Sequence, residues 1–138
     1  MAGRLLVFAL SGRSYALDLN LVSEVIEPPR HYPVPRVPAP FLGLINFHGA
    51  LVLLLDTALF LGIGVRRETG KVVIIDPKSA GLALWIDDVV CFLPEEAVLS
   101  RDAAEAPFVS EELQTGIGAM GLVDLEALLA ALEEGVNG

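Results

Sequence analysis

The stretch GLINFHGALVLLLD, residues 43–56, decides the fold, because it has the pattern of a β-hairpin: two apolar arms separated by a short polar segment. The arms LGLINF and ALVLLL are predicted strands. The two-residue connection His48-Gly49 joins them, because glycine supplies the positive φ that a tight hairpin needs. The second arm does not alternate, which predicts burial on both of its faces. Asp56 then follows as the predicted N-cap of a short helix, TALFLG.

Three polar side chains of this stretch are candidates for more than turn formation. Asn46 is expected to satisfy backbone groups at the hairpin, since a polar side chain buried in an apolar strand needs partners. His48 is expected to be exposed at the turn. Two interpretations are equally open: His48 contacts a partner at the surface, or it is a turn residue without a binding role. Asp56 is interpreted first as a helix cap, and so is Asp124 near the end of the chain.

Predicted strands flank this stretch on both sides. They cover residues 4–10, 14–19, 71–76 and 82–87, with the first two and the last two each pairing as a hairpin, and VVCFL (89–93) continues after them as apolar sequence. A short helix is predicted over residues 20–27, with Asn20 as its cap and one apolar face made by Leu21, Val22, Val25 and Ile26. The chain from 94 to 114, rich in acidic and small residues, is interpreted as a loop.

Residues 28–40 hold six prolines, which exclude the interior of a helix or a strand. Such a segment favours a stiff, extended connection. The prediction is a rigid crossover inside a β domain, because strong strand signals follow at once. A proline-rich ligand for an aromatic groove is the alternative.

The segments LLLDTALFL (53–61) and GLVDLEALL (121–129) share the order apolar strand, Asp and helix. The second helix is predicted over residues 124–134, with leucines at helical spacing at positions 125, 128, 129 and 132. Such repetition suggests two similar small β units packed on one core, each a closed or nearly closed barrel. The predicted division is 14–66 for one unit, and 67–124 with strand 4–10 for the other, within a single domain, 1–138.

The two copies differ in length when their glycines are aligned. Gly43 precedes Asp56 by thirteen residues, whereas Gly116 precedes Asp124 by only eight. The second hairpin is therefore predicted to be shortened, which would leave a strand edge or an apolar patch open. A second copy of the chain could cover that patch, so a homodimer is predicted.

Composition limits the classes of function. The net charge is −9, and residues 81–138 carry Arg101 alone against twelve acidic residues, so nucleic acid is a poor partner. The apolar run 50–65 is short and contains Asp56, which argues against membrane insertion. The N-terminal apolar run is too short for a secretory signal, so a cytoplasmic protein is expected.

Nothing in the sequence points to catalysis or to a cofactor. His31 and His48 have no further His or Cys at the spacing of a zinc site. Cys91 lies in the apolar run VVCFL and is interpreted as a small buried side chain rather than a nucleophile. The glycines of GIGAMG lack the strand, helix and Lys of a phosphate-binding loop.

The order of these motifs resembles the CheW-type coupling domains of bacterial chemotaxis. GLINFHG with its downstream Asp56, the hairpin ending LALWIDDVV, and TGIGA followed by LVDLEALL occur in the family's order over nearly the whole chain. The resemblance implies a mostly β fold with two SH3-like five-stranded β-barrels that share an apolar interface, short helices and a C-terminal helix, without cofactor or catalysis.

The family links a CheA-like histidine kinase to the cytoplasmic tips of methyl-accepting chemoreceptors, so the resemblance implies both partners. In the family, the second barrel pairs with the kinase regulatory domain, and the receptor tip docks near the groove between the barrels. A degenerate member that self-associates or binds one partner, and a β domain that senses a small molecule, are the alternatives.

The resemblance also implies a set of partner-binding residues. They are Val22, Glu24, Val25 and Ile26 before the proline segment, and Asn46, His48 and Gly49 in the central motif. Where the family usually has Arg, this chain has His48. An imidazole reaches less far than a guanidinium and makes no bidentate contact, so coupling there is expected to be weaker or tuned to another partner.

Overall fold

The computed structural model describes residues 3–29, 40–64 and 66–137, and strands dominate this part of the chain. Most of the predicted crossover 28–40 lies outside these residues. The helices and strands, in chain order, are β1 (Arg4–Leu10), β2 (Arg13–Asp18), β3 (Val22–Ile26), β4 (Phe41–Phe47), β5 (Ala50–Asp56), α1 (Thr57–Leu61), β6 (Lys71–Ile75), β7 (Leu82–Ile86), β8 (Asp88–Pro94), β9 (Val98–Ala103), β10 (Val109–Thr115), β11 (Gly118–Val123) and α2 (Leu125–Asn137). The mostly β fold is thus confirmed.

The strands form two sheets. One has six strands in the order β8-β1-β2-β11-β10-β9, and the other has five in the order β3-β6-β7-β5-β4. The predicted hairpins β1–β2, β4–β5 and β6–β7 are all present as antiparallel pairs. Each sheet also contains one parallel pair, β2 with β11 and β5 with β7. The predicted number of five strands is correct for one sheet, whereas the other sheet has six. Closure of the sheets into barrels stays a prediction.

The strands do not sort between the sheets along the division predicted at residues 66 and 67. β2 lies in the six-stranded sheet, whereas β6 and β7 lie in the five-stranded sheet. The reason is that the hairpins β1–β2 and β6–β7 each stay intact. The second strand of each hairpin pairs in parallel within its sheet, β2 with β11 and β7 with β5. β1 pairs with β8, so the N-terminal strand does join the later part of the chain, as expected. The division into two subdomains remains a proposal.

The helix predicted over residues 20–27 is wrong. A short 3-10 turn occupies Leu19–Leu21, where the Asp18 carboxylate accepts a hydrogen bond from the Asn20 N–H (2.9 Å), and strand β3 follows. β3 pairs with β6, with Val25 opposite Val73. Branched side chains favour strands, and pairing with a strand about fifty residues away outweighs a short helical pattern.

The shortened second hairpin is also wrong, and so is the loop predicted before it. β10 and β11 form a hairpin around a two-residue turn at Gly116 and Ile117, and β9 pairs with the outer edge of β10. Gly116 precedes Asp124 by eight residues, as His48 precedes Asp56, so Gly116 corresponds to His48 and not to Gly43. The homodimer was predicted from the open edge of a shortened hairpin, so this reason for predicting it no longer holds.

Both predicted helix caps are confirmed. The Asp56 Oδ1 accepts a hydrogen bond from the Leu59 N–H (3.2 Å), and Asp124 Oδ1 accepts one from the Ala127 N–H (3.1 Å). The second helix begins as predicted and continues beyond residue 134 to Asn137. Among the described residues, no helix is long and apolar enough to cross a membrane.

Three clusters of buried apolar side chains hold the sheets together. The largest lies between the sheets and includes Leu6, Phe8, Leu17, Leu55, Val73, Leu84, Val123 and Leu128. A second belongs to the five-stranded sheet and includes Ile45, Leu54, Ile74 and Trp85, and a third belongs to the six-stranded sheet and includes Leu5, Val7, Leu113 and Met120. Since β5 and β6 contribute to both of the first two clusters, the two-sided burial predicted for the second arm of the central hairpin is confirmed for most of β5. Residues 72–75 of β6 are buried on both faces in the same way. Cys91 packs on the third cluster but is only half-buried, which corrects the expectation of full burial.

Candidate partner-binding surface

The tip of the β4–β5 hairpin has the turn that the sequence predicts. His48 (φ 50°) and Gly49 (φ 85°) both lie in the left-handed region, as a two-residue hairpin turn requires. The Asn46 Oδ1 accepts a hydrogen bond from the Gly49 N–H at 3.0 Å. The role of Asn46 in fastening the hairpin is thus confirmed, whereas its expected burial is wrong because the residue is exposed.

His48 connects this tip to the edge strand β3. Its side chain is 78% exposed, and its Nε2 lies 3.7 Å from the Glu24 Oε2. The ring also packs edge-on against Phe47, with 4.3 Å between the ring centroids. β3 and β4 are the two edges of the five-stranded sheet, so the sheet curls until its edges approach one another.

The seven predicted residues are here together called the coupling surface: Val22, Glu24, Val25 and Ile26 on β3, with Asn46, His48 and Gly49 at the hairpin tip. The contact of Glu24 with His48 joins the two groups. Glu24 and the three tip residues are exposed, while the apolar members of β3 are half-buried. Val22 and Val25 pack on the cluster between the sheets, whereas Ile26 packs on the cluster of the five-stranded sheet. The apolar members therefore combine a structural role with a partly accessible surface.

The charges on the coupling surface are unequally compensated. Lys71 on β6 donates a hydrogen bond to the Glu27 carboxylate, just beyond β3. This bond raises the pKa of Lys71 above its ordinary value, so the amine stays charged and compensates Glu27. Glu24 forms its ion pair with His48, which carries charge only when protonated. Among the described residues, Glu24 is therefore the carboxylate of this surface that is left to attract a partner's basic group.

The six-stranded sheet carries a second set of exposed apolar residues, which was not predicted from the sequence. β8 alternates along its length, so that Val90 (50% exposed) and Phe92 (53%) share its outer face. On β9, Leu99 is 74% exposed. The alternation of apolar and other residues in DVVCFLP was the available signal, but the whole run was interpreted only as apolar sequence.

No metal centre is evident in the described ranges. Within residues 3–29, 40–64 and 66–137, no three His, Cys, Asp or Glu side chains lie together in a way that could hold a metal ion. The coupling surface offers one carboxylate, one imidazole and partly accessible aliphatic groups.

Comparison with known proteins gives concordant matches. The family model described as the CheW-like domain matches residues 4–133. The curated protein "Chemotaxis protein CheW" of Rhizobium meliloti (strain 1021) is 27% identical over 132 residues, which span 94% of this chain and 83% of that protein. The crystal structure of scaffolding protein TtCheW from Thermoanaerobacter tengcongensis aligns with a TM-score of 0.77 at 23% identity, over 91% of this chain and 86% of that one, and shows the same fold. This chain belongs to the family of CheW-like domains.

Proposed function

We propose that the chain is a non-catalytic cytoplasmic adaptor that couples a CheA-like histidine kinase to the cytoplasmic tips of methyl-accepting chemoreceptors. Membership of the CheW-like family supports this function, and so do a relative named for chemotaxis and a similar structure described as a scaffolding protein. The observation that carries the proposal is the exposed contact between Glu24 and His48, which joins two edge strands into one accessible surface.

The coupling surface is the proposed receptor site. Its half-buried aliphatic residues on β3 offer an apolar strip, and the Glu24 carboxylate beside them offers a fixed charge. A receptor tip with apolar residues flanked by a basic or hydrogen-bonding group would complement this pattern. His48 lies beside the same carboxylate, with 3.7 Å between its Nε2 and the Glu24 Oε2, and is proposed to contact the receptor tip together with it.

The outer face of the six-stranded sheet is the proposed kinase site. Val90 and Phe92 project from the edge strand β8, and Leu99 from the other edge strand, β9. Exposed apolar side chains of this kind mark surfaces that bind other proteins. Two sites on different sheets would allow one chain to hold both partners at once, which is what an adaptor must do.

Replacing His48 is expected to change receptor affinity while leaving stability almost unchanged. His48→Arg should tighten binding of the receptor tip about 3–10-fold, because a guanidinium can make a bidentate contact to a carboxylate or to main-chain carbonyls of the tip, which an imidazole cannot make. His48→Ala should weaken binding by a similar factor, because the imidazole contact is lost. Affinity for a purified receptor-tip fragment and kinase activation in a reconstituted complex measure both effects.

Ile117→Ala is the matched control, because Ile117 occupies the tip of the corresponding β10–β11 hairpin and is 58% exposed. It should leave receptor affinity within twofold of the wild type. Both His48 variants should also unfold like the wild type, since an exposed pair contributes about 0–1 kcal/mol. If both bind and activate like the wild type, His48 is only a turn residue and the receptor site lies elsewhere.

A further inference from the structure

The six-stranded sheet is split at one end between two of its central strands. β2 and β11 run parallel, but their register joins only Tyr15 and Ala16 to Gly121 and Leu122. The earlier parts of both strands pair on one edge only: residues 13–14 of β2 with β1, and residues 118–120 of β11 with β10. In the described part of the chain, no strand pairs with the facing edges of these segments. Alternate N–H and C=O groups of a strand point to each of its edges, so main-chain groups of these segments face the gap without a partner strand. The Gly118 C=O accepts a hydrogen bond from the Thr115 hydroxyl (2.8 Å).

The gap opens into a groove with a volume of about 780 Å³. This volume lies in the range of roughly 300–1,000 Å³ that binding pockets occupy. Residues of both splayed strands line the groove, and Leu61 and Ile63 close one side of it with apolar surface. Residues 103–107, the end of β9 and the loop after it, form another wall of the groove with mostly small side chains. A narrow wall of small residues beside two open strand edges suits an extended main chain.

The loop wall is held in a fixed position by Phe108. This residue has φ 62°, a conformation that is rare for a bulky side chain and costly to maintain. Its ring stacks on Phe60 of α1 with 4.7 Å between the centroids, and its C=O accepts a hydrogen bond from the Asp124 N–H (2.8 Å). The wall is thereby tied to both helices, so the groove is preformed.

Charge on the groove favours a basic ligand. Glu105 and Glu112 line it against Arg13 alone, and all three side chains are exposed. Among the described residues, neither glutamate forms an ion pair. The neighbouring strands β9 and β10 add further acidic residues, including Asp102. A basic side chain entering the groove would therefore find carboxylates free to receive it.

We propose that this groove binds an extended peptide segment of a partner protein, which adds as a strand between β2 and β11 and places a Lys or Arg beside Glu112. Addition of a strand to an open sheet edge is an established mode of peptide recognition, in which main-chain hydrogen bonds give affinity and alternate side chains give specificity. No residue of the coupling surface lines the groove, so this site is separate from the proposed receptor site.

The test selects a ligand from a phage-displayed library of random eight-residue peptides with the full chain as bait. The tightest peptide is then synthesised, and its affinity is measured for the wild type, Ala119→Trp and Glu112→Lys. Ala119 is an exposed residue of β11 that lines the groove, so its replacement fills the gap without disturbing the core. Ala130→Trp on the exposed face of α2 is the matched control.

The selected peptides are expected to share a basic residue flanked by branched apolar residues. Affinity should fall about tenfold or more with Ala119→Trp and with Glu112→Lys, and stay within twofold of the wild type with Ala130→Trp. Peptides N-methylated at alternate residues should lose binding, because their main-chain donors are removed. The proposal is overturned if no peptide is enriched, if Ala119→Trp binds like the wild type, or if N-methylation has no effect.

Discussion

Phe8→Ala is expected to lower the free energy of unfolding by about 3–5 kcal/mol, the loss typical of a fully buried Phe. Phe8 is 0% exposed, lies in the cluster between the sheets, and stacks on Tyr15 with 6.0 Å between the ring centroids. Such a loss is a large part of the roughly 5–15 kcal/mol that stabilises a domain. Urea unfolding followed by circular dichroism and by the fluorescence of Trp85 measures it.

The same experiment tests whether the sheets share one core. Trp85 lies in the cluster of the five-stranded sheet, whereas Phe8 belongs to a strand of the six-stranded sheet. Because both sheets contribute to the cluster around Phe8, the two signals should shift together in one transition. Leu99→Ala is the control, since Leu99 is 74% exposed, and it should change stability by less than about 0.5 kcal/mol. Separate transitions for the two signals would contradict a shared core.

Gly70→Ala is expected to destabilise the protein by about 1–3 kcal/mol, the cost of inserting an atom into a packed site. A Cβ at Gly70 would overlap the main-chain oxygen of Ile86 and would lie 2.6 Å from the Trp85 Nε1. The first of these atoms belongs to the backbone at the end of β7, which pairs with β6, so it cannot move aside cheaply. Thermal unfolding and the emission maximum of Trp85 report both the loss and its location.

Gly116→Ala provides the control for Gly70. No heavy atom lies within 4 Å of the position that a Cβ would take at Gly116, and its φ is outside the left-handed region. This variant should unfold within about 0.5 kcal/mol of the wild type. A Gly70→Ala protein as stable as Gly116→Ala would show that the segment before β6 packs less tightly against Trp85 than described.

Local chemistry made the central hairpin and the helix starts predictable. The turn at His48 and Gly49 follows from the positive φ that glycine tolerates, and the caps at Asp56 and Asp124 follow from carboxylates placed before apolar helical patterns. Each of these features depends on residues within four positions of one another. The local sequence is therefore sufficient to predict the hairpin turn and the two helix caps.

Features that depend on distant strands were mispredicted. Residues 22–26 form a strand because β6 pairs with them, which no local pattern reveals. The second hairpin was misjudged because Gly116 was aligned with Gly43, although glycine suits both a turn and a strand start. The contact of Glu24 with His48 could not be foreseen either, since it exists only because the five-stranded sheet curls and brings its opposite edges together.

The adaptor function is tested most directly by assembling three purified components: the chain, a chemotaxis-type histidine kinase and receptor-tip fragments in a membrane-mimicking array. The wild type should recruit the kinase to the receptors. Glu24→Lys should lose receptor binding and keep kinase binding, whereas Phe92→Ala should lose kinase binding and keep receptor binding, because the two residues lie on different sheets. Co-sedimentation with each partner alone and with both measures all three cases. A wild-type chain that binds neither partner, or variants that recruit the kinase as well as the wild type, would contradict the account.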